Sequence, residues 1–216
     1  GSDPAGGRTV YTQEDDTFVI NGRKCFITNS HIADVMTVLA KSDEDPKAFC
    51  AFIVEKDMEG YKATREEHKV GMRGCNTGEQ AFKNLRVPKE NVLGEVGKGI
   101  RVVMSAIGDV GRGGMVGCAL GTQTACLEAS IKFANERILY GKPIMKLQGI
   151  QNKIAEMKID LEAGRLLGYR AAAMHDNGKR CDNEFAAAKY YTTEAAQKAA
   201  KMACDIHGGY GCMEEF

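Results

Sequence analysis

The sequence predicts an α+β protein in which an antiparallel β-barrel or β-sandwich is followed by an incomplete up-and-down α-helical bundle. Short apolar runs separated by turn residues fill the chain up to about residue 95. After that point, apolar and small residues recur at three- and four-residue spacing, which is the period of a helix. Only three long helical segments follow, so the bundle is expected to lack a partner. We therefore predict two domains, residues 1–95 and 96–216.

Composition excludes several classes of protein. The chain has 216 residues, which is enough for one large domain or two small ones with a sizeable core. Its 29 basic and 29 acidic residues balance, so no nucleic acid or anionic membrane partner is predicted. No apolar run approaches the roughly 18 residues that span a bilayer. Residues 1–7 resemble neither a signal peptide nor a transit peptide.

The cysteines and histidines carry no metal-binding pattern. Eight cysteines occur without a C-x-x-C pair, and they lie in apolar runs or beside glycines, where free cysteine acts as a small apolar residue. We predict that they are the reduced thiols of a cytoplasmic protein. The four histidines are scattered without ligand spacing, so no metal site is predicted.

The β-rich half begins with two short strands around an Asn21-Gly22 pair, which predicts a hairpin turn because both central turn residues need positive φ. The runs over residues 35–40 and 49–54 are nearly continuously apolar, which predicts strands covered on both faces. Pro88 ends the last strand, since proline cannot donate to a ladder. The candidate strands are Thr17–Ile20, Arg23–Thr28, Val35–Lys41, Ala48–Glu55, a weak one at Tyr61–Arg65, and Glu79–Val87.

The helical half contains three predicted helices, with breaks at the Tyr140–Pro143 segment and at Asn177-Gly178. Asp182 is the predicted N-cap of the third helix. The predicted helices cover about Gly97–Arg137, Ile144–Asn177 and Asp182–Ile206. The predicted core positions are Ile150, Ile154, Met157, Leu161, Leu166 and Leu167 in the second helix, and Phe185, Ala188, Tyr191, Ala195 and Ala199 in the third.

Local motifs, taken singly, leave alternatives open. Phe26 and Thr28 are two positions apart on a strand and so share a face, which suits a planar ligand, although an ordinary strand end explains them as well. Asp109 and Arg112 are three residues apart and so share a helix face. This arrangement suits either a surface ion pair or a clamp for a polar ligand. Arg137 is a cation at a helix C-terminus, where the macrodipole favours it. The glycines of residues 111–117 lie inside a helical pattern, so we interpret them as helix-packing positions.

The order of these motifs is more specific than any one of them. At these spacings they resemble the acyl-CoA dehydrogenase flavoprotein family, nearest to its short-chain, butyryl-CoA dehydrogenase-like members. The resemblance covers essentially the whole chain, as the middle β-domain and much of the C-terminal helical domain. The matching segments are Gly1-Ser2-Asp3, Phe26-Ile27-Thr28-Asn29, Gly71-Met72-Arg73-Gly74, Asp109-x-x-Arg112, Asn135–Ile144, Gln148-Gly149-Ile150-Gln151 and Gly208-Gly209-Tyr210-Gly211.

The resemblance implies an FAD cofactor, which the family binds between these two domains. Phe26, Ile27 and Thr28 match a tryptophan-isoleucine-threonine triplet at the flavin ring, with the threonine hydroxyl near N5. Arg137 and Gln148 match residues that bind the pyrophosphate and adenine end of a neighbouring subunit's FAD. The other implied cofactor contacts are Ser2 and the turn Asp205, Ile206, His207, Gly208 and Gly209. That turn usually begins with glutamine, and the aspartate here cannot donate a hydrogen bond when ionised.

The resemblance also implies a substrate site and a reaction. Ser2 and the segment Asp109, Val110, Gly111 and Arg112 match residues that contact an acyl-CoA. The family reaction is α,β-dehydrogenation, in which a glutamate removes the α-proton and FAD accepts the β-hydrogen as hydride. No residue here can be assigned as that glutamate, and a minority of members carry it where this chain has Gly111. We expect the 216-residue chain by itself to be inactive.

The implied partners are an electron-transferring flavoprotein and further copies of the chain, in a tetramer built as a dimer of dimers. The implied location is the cytoplasm, or the mitochondrial matrix in a eukaryote. Two alternatives stay open: an acyl-CoA oxidase or flavin monooxygenase of the same fold, and a non-catalytic scaffold that kept the fold. A glutamate about twenty residues beyond Gly211 in the whole protein would favour the dehydrogenase; Glu214 and Glu215 fall too soon after the turn.

Overall fold

A computed structural model describes residues 3–215 of the chain, except for the side chains of residues 109 and 110. Ser2, a predicted cofactor and substrate contact, lies outside the described residues. The chain divides into two compact units, residues 1–105 and 106–216. The predicted domain boundary after residue 95 precedes this division, because the helix that starts at Gly99 packs its backbone against Cys50 and Ala51 of the sheet.

The first unit is built on a seven-stranded sheet with the strand order β5-β6-β2-β1-β3-β4-β7. Its strands are β1 (Val10–Glu14), β2 (Thr17–Thr28), β3 (Val35–Ser42), β4 (Phe49–Glu55), β5 (Tyr61–Glu66), β6 (Thr77–Pro88) and β7 (Val92–Leu93), followed by the helix α1 (Gly99–Ser105). The prediction of a β-rich half followed by helices is confirmed, and β6 ends at Pro88 as expected. β1 was not predicted, because two apolar residues among five give it little hydrophobic pattern.

The sheet is mixed and open, which differs from a closed antiparallel barrel. β1 and β3 run parallel and pair only through Val10 with Lys41 and Tyr11 with Ser42. This direction follows from the chain path: β2 is antiparallel to β1, and β3 returns to the other edge of β1. The strand order begins at β5 and ends at β7, so ladder hydrogen bonds do not close the sheet.

Aromatic rings fill the core of the first unit. The ring centroids of Tyr11, Phe18 and Phe52 lie 5.2 to 5.6 Å apart, in tilted and edge-to-face arrangements that aromatic pairs favour. β4 is buried along nearly its whole length, as its continuous apolar run predicted. β3 instead alternates, with Val35 exposed and Val38 buried, so only one of its faces is covered.

The predicted hairpin turn at Asn21-Gly22 is wrong, because both residues lie inside β2. The register with β6 shifts between Ile20 and Gly22, which marks a bulge. Gly22 has φ of 142°, and a Cβ at this position would lie 2.7 Å from the Cα of Thr9. The glycine therefore serves a close backbone approach. The hairpin turn lies one strand earlier, where Asp15 has φ of 51° between β1 and β2.

The second unit contains three long helices and a small hairpin. A π-helical segment, Ala106–Gly111, comes first. The helices are α2 (Arg112–Glu136), α3 (Gln148–Asp176) and α4 (Asp182–His207), and the hairpin is β8 (Ile138–Leu139) with β9 (Lys142–Pro143). α3 begins later than predicted because Ile144–Lys146 form a 3₁₀ turn. α4 is capped by Cys181, so Asp182 lies in its first turn rather than at the N-cap.

Most of the predicted helical core is confirmed. In α3, Met157 and Leu161 are buried. The prediction that Leu166 belongs to the core is wrong, since 70% of its surface is exposed. In α4 the buried stripe contains Phe185, Ala188, Ala195 and Ala199. Within the described residues, no helix has the length and apolar content to cross a membrane, and no three potential ligand side chains gather as they would around a metal ion.

Gly22→Ala is expected to lower the free energy of unfolding by about 2–3 kcal/mol, because the methyl group meets the Thr9 backbone at a positive φ. The matched control is Gly121→Ala, an exposed position of α2 with open space around it. It is expected to stabilise the protein by about 0.5–1 kcal/mol through helix propensity. Urea unfolding followed by circular dichroism measures both. Equal effects of the two substitutions would contradict the close approach at Gly22.

Candidate functional site

A groove at one end of the second unit gathers most of the predicted cofactor residues. It has a volume of about 700 Å³. We call it the Arg137 groove, and its lining residues are Phe133, Arg137, Leu139, Ile144, Leu147, Ile150, Asp205, Ile206, His207, Gly208, Gly209, Tyr210 and Met213. Residues distant in sequence thus meet where α2 and α4 end.

The end of α2 places Arg137 at the groove. The Arg137 backbone N–H donates to the Phe133 carbonyl at 2.8 Å, and the chain then leaves the helix in extended conformation. Tyr140 and Gly141 both have positive φ, so they form the two-residue turn of the β8–β9 hairpin. The hairpin returns Ile144 to the helix end, where its N–H donates to the Arg137 carbonyl at 2.9 Å.

The end of α4 supplies the opposite wall. Gly208 ends the helix with φ of 60° and ψ of −129°, a conformation that favours glycine. The chain then folds into the 3₁₀ turn Gly208–Cys212. A Cβ on Gly211 would lie 2.6 Å from the Cys204 carbonyl oxygen, so this turn packs directly on the last turn of α4. The glycine-rich turn that follows α4 therefore also shapes the groove.

Aromatic rings and one cation give the groove its chemistry. The rings of Phe133 and His207 are stacked with centroids 4.3 Å apart, and Tyr210 lies 5.9 Å from Phe133 in a tilted arrangement. The Arg137 guanidinium lies 5.7 Å above the centre of the Tyr210 ring, a cation–π distance. The flat apolar rings suit a planar group, and the arginine suits an anionic one.

Asp205 is held at the groove by a cation. Its Oδ2 accepts a hydrogen bond from Lys153 Nζ of α3 at 2.8 Å. This hydrogen bond, supported by the Lys153 charge, keeps the pKa of the Asp205 carboxyl below its usual value. Asp205 is therefore ionised near neutral pH, where its carboxylate accepts hydrogen bonds and cannot donate one.

Gln148 lies at the edge of the groove. It is the exposed first residue of α3, and its neighbours Leu147 and Ile150 line the groove. Ile206 is nearly fully buried and contributes to the floor. Of the predicted cofactor residues in this unit, all except Gln148 line the groove itself.

In the first unit, the predicted strand end at Phe26–Thr28 is exposed because the strand bulges there, and not because its side chains alternate regularly between two faces. Phe26 has φ of 57° and 74% of its surface exposed. The register of β2 with β6 shifts between Lys24 and Ile27, so a bulge interrupts the regular alternation of faces. The same-face argument for Phe26 and Thr28 therefore fails. Both side chains are nevertheless exposed, with Ile27 half-buried between them.

The strand end is fixed by hydrogen bonds. Thr28 pairs with Thr77 in the ladder to β6. The Asn29 N–H donates to the Asn76 carbonyl at 2.9 Å, and the His31 N–H donates to Asn76 Oδ1 at 3.1 Å. The exposed Phe26 and Thr28 are thus presented on a well-supported backbone.

Lys24 is a residue that sequence reasoning missed. β2 has no β1 partner beyond Asn21, and Lys24 Nζ instead donates to the Leu39 carbonyl of β3 at 2.6 Å. Burial lowers the pKa of the Lys24 ammonium. This contact ties the strand that carries Phe26 to the other half of the sheet.

The predicted substrate segment lies at the start of the second unit. The side chains of Asp109 and Val110 are outside the described part of the structure. Gly111 ends the π-helical segment and Arg112 begins α2, where its side chain is half-buried. π-helical segments inside helices are often found at functional sites.

Comparison with known proteins identifies the family. The acyl-CoA dehydrogenase middle-domain model matches residues 1–85, and the acyl-CoA dehydrogenase C-terminal-domain model matches residues 97–216. The chain belongs to the acyl-CoA dehydrogenase family. The predicted family and the α+β fold class are thereby confirmed. Members of this family are FAD-dependent oxidoreductases.

Three relatives illustrate the match. Butyryl-CoA dehydrogenase from Megasphaera elsdenii superposes with a TM-score of 0.96 at 38% identity, over 100% of this chain and 57% of that one. A glutaryl-CoA dehydrogenase from Mycobacterium smegmatis, in complex with FADH2, superposes with a TM-score of 0.91 at 30% identity, over 100% of this chain and 55% of that one. The caffeyl-CoA reductase–Etf complex subunit CarC from Acetobacterium woodii is 39% identical in sequence, over 100% of this chain and 57% of that protein. The chain thus spans just over half the length of these relatives.

Lys153→Met is expected to raise the pKa of Asp205 toward its ordinary value, because the hydrogen bond that favours the carboxylate is lost. Because the Asp205 pKa is depressed in the folded protein, the pair stabilises the fold above the ordinary carboxyl pKa. This stabilisation is lost as the pH falls through the depressed value. ¹³C NMR titration of the carboxyl group measures the change. Lys201→Met is the control and should give a smaller rise, because Lys201 acts on Asp205 only through space. An unchanged Asp205 pKa in Lys153→Met would contradict the pairing.

Proposed function

We propose that the whole protein is an acyl-CoA dehydrogenase that converts an acyl-CoA thioester, of a short-chain type, to the trans-2-enoyl-CoA. The observation that carries this proposal is the Arg137 groove, where a cation and stacked rings surround a glycine turn. Family membership and the butyryl-CoA dehydrogenase of Megasphaera elsdenii support it. We further propose that the family's middle domain covers residues 1–95 and that residues 96–216 belong to its C-terminal domain.

The residues of the groove fit FAD. Gly208 and Gly209 present no side chains at the turn, the rings offer a flat apolar wall, and Arg137 offers a planar fork of donors for a pyrophosphate. We assign Arg137 and Gln148 to the pyrophosphate and adenine end. FAD, when bound, supplies the hydride acceptor of the reaction. His207 and Ile206 shape the wall and floor, while the ionised Asp205 is available only as an acceptor.

The strand end of the first unit is assigned to the flavin ring. Phe26 would offer its exposed ring to the isoalloxazine, and the Thr28 hydroxyl would serve as the hydrogen-bond partner near N5. Phenylalanine keeps the π surface that a tryptophan would offer and lacks the indole donor. Ile27 completes the platform, and Ser2 is assigned to the flavin side of the cofactor and to the substrate.

The segment Asp109, Val110, Gly111 and Arg112 is assigned to the coenzyme A part of the substrate. The thioester carbonyl must be held by hydrogen-bond donors that stabilise the developing enolate. The base that removes the α-proton is not assigned to any of the 216 residues. These residues alone are therefore proposed to bind without catalysing dehydrogenation.

The proposed electron acceptor is an electron-transferring flavoprotein. The Acetobacterium woodii relative, a subunit of a reductase–Etf complex, supports this assignment. We also propose a homotetramer, and a location in the cytoplasm or, in a eukaryote, the mitochondrial matrix.

The proposed function is tested by anaerobic titration of the purified whole protein with a panel of acyl-CoAs. The expected result is loss of oxidised-flavin absorbance with butyryl-CoA, formation of enoyl-CoA, and reoxidation by electron-transferring flavoprotein but not by oxygen. The 216-residue chain, assayed alongside, should give no enoyl-CoA. Fast reoxidation by oxygen would instead indicate an oxidase, and a protein that no acyl-CoA reduces would indicate a scaffold.

Arg137→Met is expected to weaken FAD binding by the whole apoprotein about 10- to 100-fold, because charge-assisted hydrogen bonds to the pyrophosphate are lost. Quenching of flavin fluorescence measures the dissociation constant. The matched control is Lys132→Met, an exposed cation of α2 that does not line the groove. It should change FAD affinity by less than about 3-fold. FAD affinity that is unaltered in Arg137→Met would reject the assignment of this residue.

A further inference from the structure

An acidic side chain at the start of α4 faces the π-helical segment. Asp182 Oδ1 lies 3.7 Å from the position that a Cβ on Gly108 would take, and Gly108 is buried. The other oxygen, Oδ2, accepts a hydrogen bond from Arg180 Nε at 2.7 Å. The carboxylate is therefore fixed between an exposed arginine and the backbone of residues 106–111.

Arg112 begins α2 directly after this segment, and its charge acts on the Asp182 carboxyl. It follows Gly108 by four residues, and residues at that spacing share a helix face. One residue further, Gly113 packs under Phe185 of α4, where an added Cβ would lie 3.1 Å from the ring. Asp182 and Phe185, both near the start of α4, thus lie against the backbone on either side of Arg112.

The charges agree with this geometry. The hydrogen bond from Arg180 is the main cause that keeps the pKa of Asp182 below its usual value, and the positive charge of Arg112 adds to it. Asp182 thus makes its direct ion pair with Arg180 and acts on Arg112 through space. An arginine side chain has many rotamers, and ordering them on a ligand costs conformational entropy. A fixed opposite charge reduces this cost before a ligand arrives.

We propose that Asp182 is a positioning residue for Arg112, holding its guanidinium ready for the anionic coenzyme A part of an acyl-CoA. The inference rests on the proposed function, in which residues 109–112 contact coenzyme A. It adds a residue from another helix, about 70 positions away in sequence. Asp182 does not touch the substrate in this account; it acts through Arg112.

The test is a double-mutant cycle in the whole protein with Asp182→Asn, Arg112→Met and the combined variant. The measurements are the dissociation constant of free coenzyme A, and KM and kcat for butyryl-CoA. Asp182→Asn should weaken coenzyme A binding about 3- to 10-fold and raise KM similarly, with kcat changed less than about 2-fold. In the Arg112→Met background, Asp182→Asn should have no further effect, because the group it positions is gone.

Controls separate positioning from folding and from general charge. Asp182→Glu keeps the charge and should retain most of the coenzyme A affinity. Asp176→Asn removes an exposed carboxylate at the neighbouring end of α3 and should leave affinity within about 2-fold. Thermal unfolding by circular dichroism checks that each variant is folded.

Three results would overturn the inference: no effect of Asp182→Asn, an equal effect in both backgrounds, or an effect of Asp182→Glu as large as that of Asp182→Asn. Coenzyme A binding that is unaltered by Arg112→Met would reject the proposed substrate contact itself, and the positioning role with it. The failure of the inference alone and the failure of the substrate assignment are therefore distinguishable.

Discussion

The stack of Phe133 on His207 joins the last turn of α2 to the last turn of α4, and the Arg137 groove depends on it. Just beyond the stack, Arg137 leaves α2 and Gly208 ends α4. Both chain exits are thereby held at the same end of the bundle, where the guanidinium reaches the Tyr210 ring. Both are helix C-termini, whose last carbonyls lack intrahelical N–H partners and favour cations, so the affinity for an anion comes from the Arg137 guanidinium. The packing of two helices thus creates the site.

A comparable constraint acts in the first unit. β2 is needed both as a core strand and as the carrier of an exposed aromatic platform. Its first half buries Phe18 and Ile20, whereas its second half bulges at Phe26 and turns that ring outward. Beyond Asn21, β1 no longer pairs with β2, and the Lys24 side chain instead links β2 to β3 through its hydrogen bond to the Leu39 carbonyl. One strand therefore combines a rigid core with an accessible surface because its register changes part-way along.

Sequence patterns predicted what depends on local periodicity. The strands β2 to β6 and the three long helices were predicted from spacing, although β2 was predicted as two strands. The Asn21-Gly22 turn was mispredicted because tertiary contact with Thr9, rather than turn chemistry, explains that glycine. The bulge at Phe26 depends on pairing with β6, which local pattern does not encode. The groove joins Phe133 to His207 across two helices, so only the order of motifs along the chain indicated it.

We propose that Phe26–Thr28 and the Arg137 groove each bind FAD, the groove taking the pyrophosphate and adenine end of a neighbouring subunit's cofactor. The decisive measurement is a crystal structure of the whole protein with FAD. We expect the isoalloxazine ring against Phe26, its N5 edge near the Thr28 hydroxyl, and the pyrophosphate of an FAD molecule within hydrogen-bonding distance of Arg137. An FAD that contacts neither Phe26 nor Arg137, or a flavin ring seated in the Arg137 groove, would contradict it.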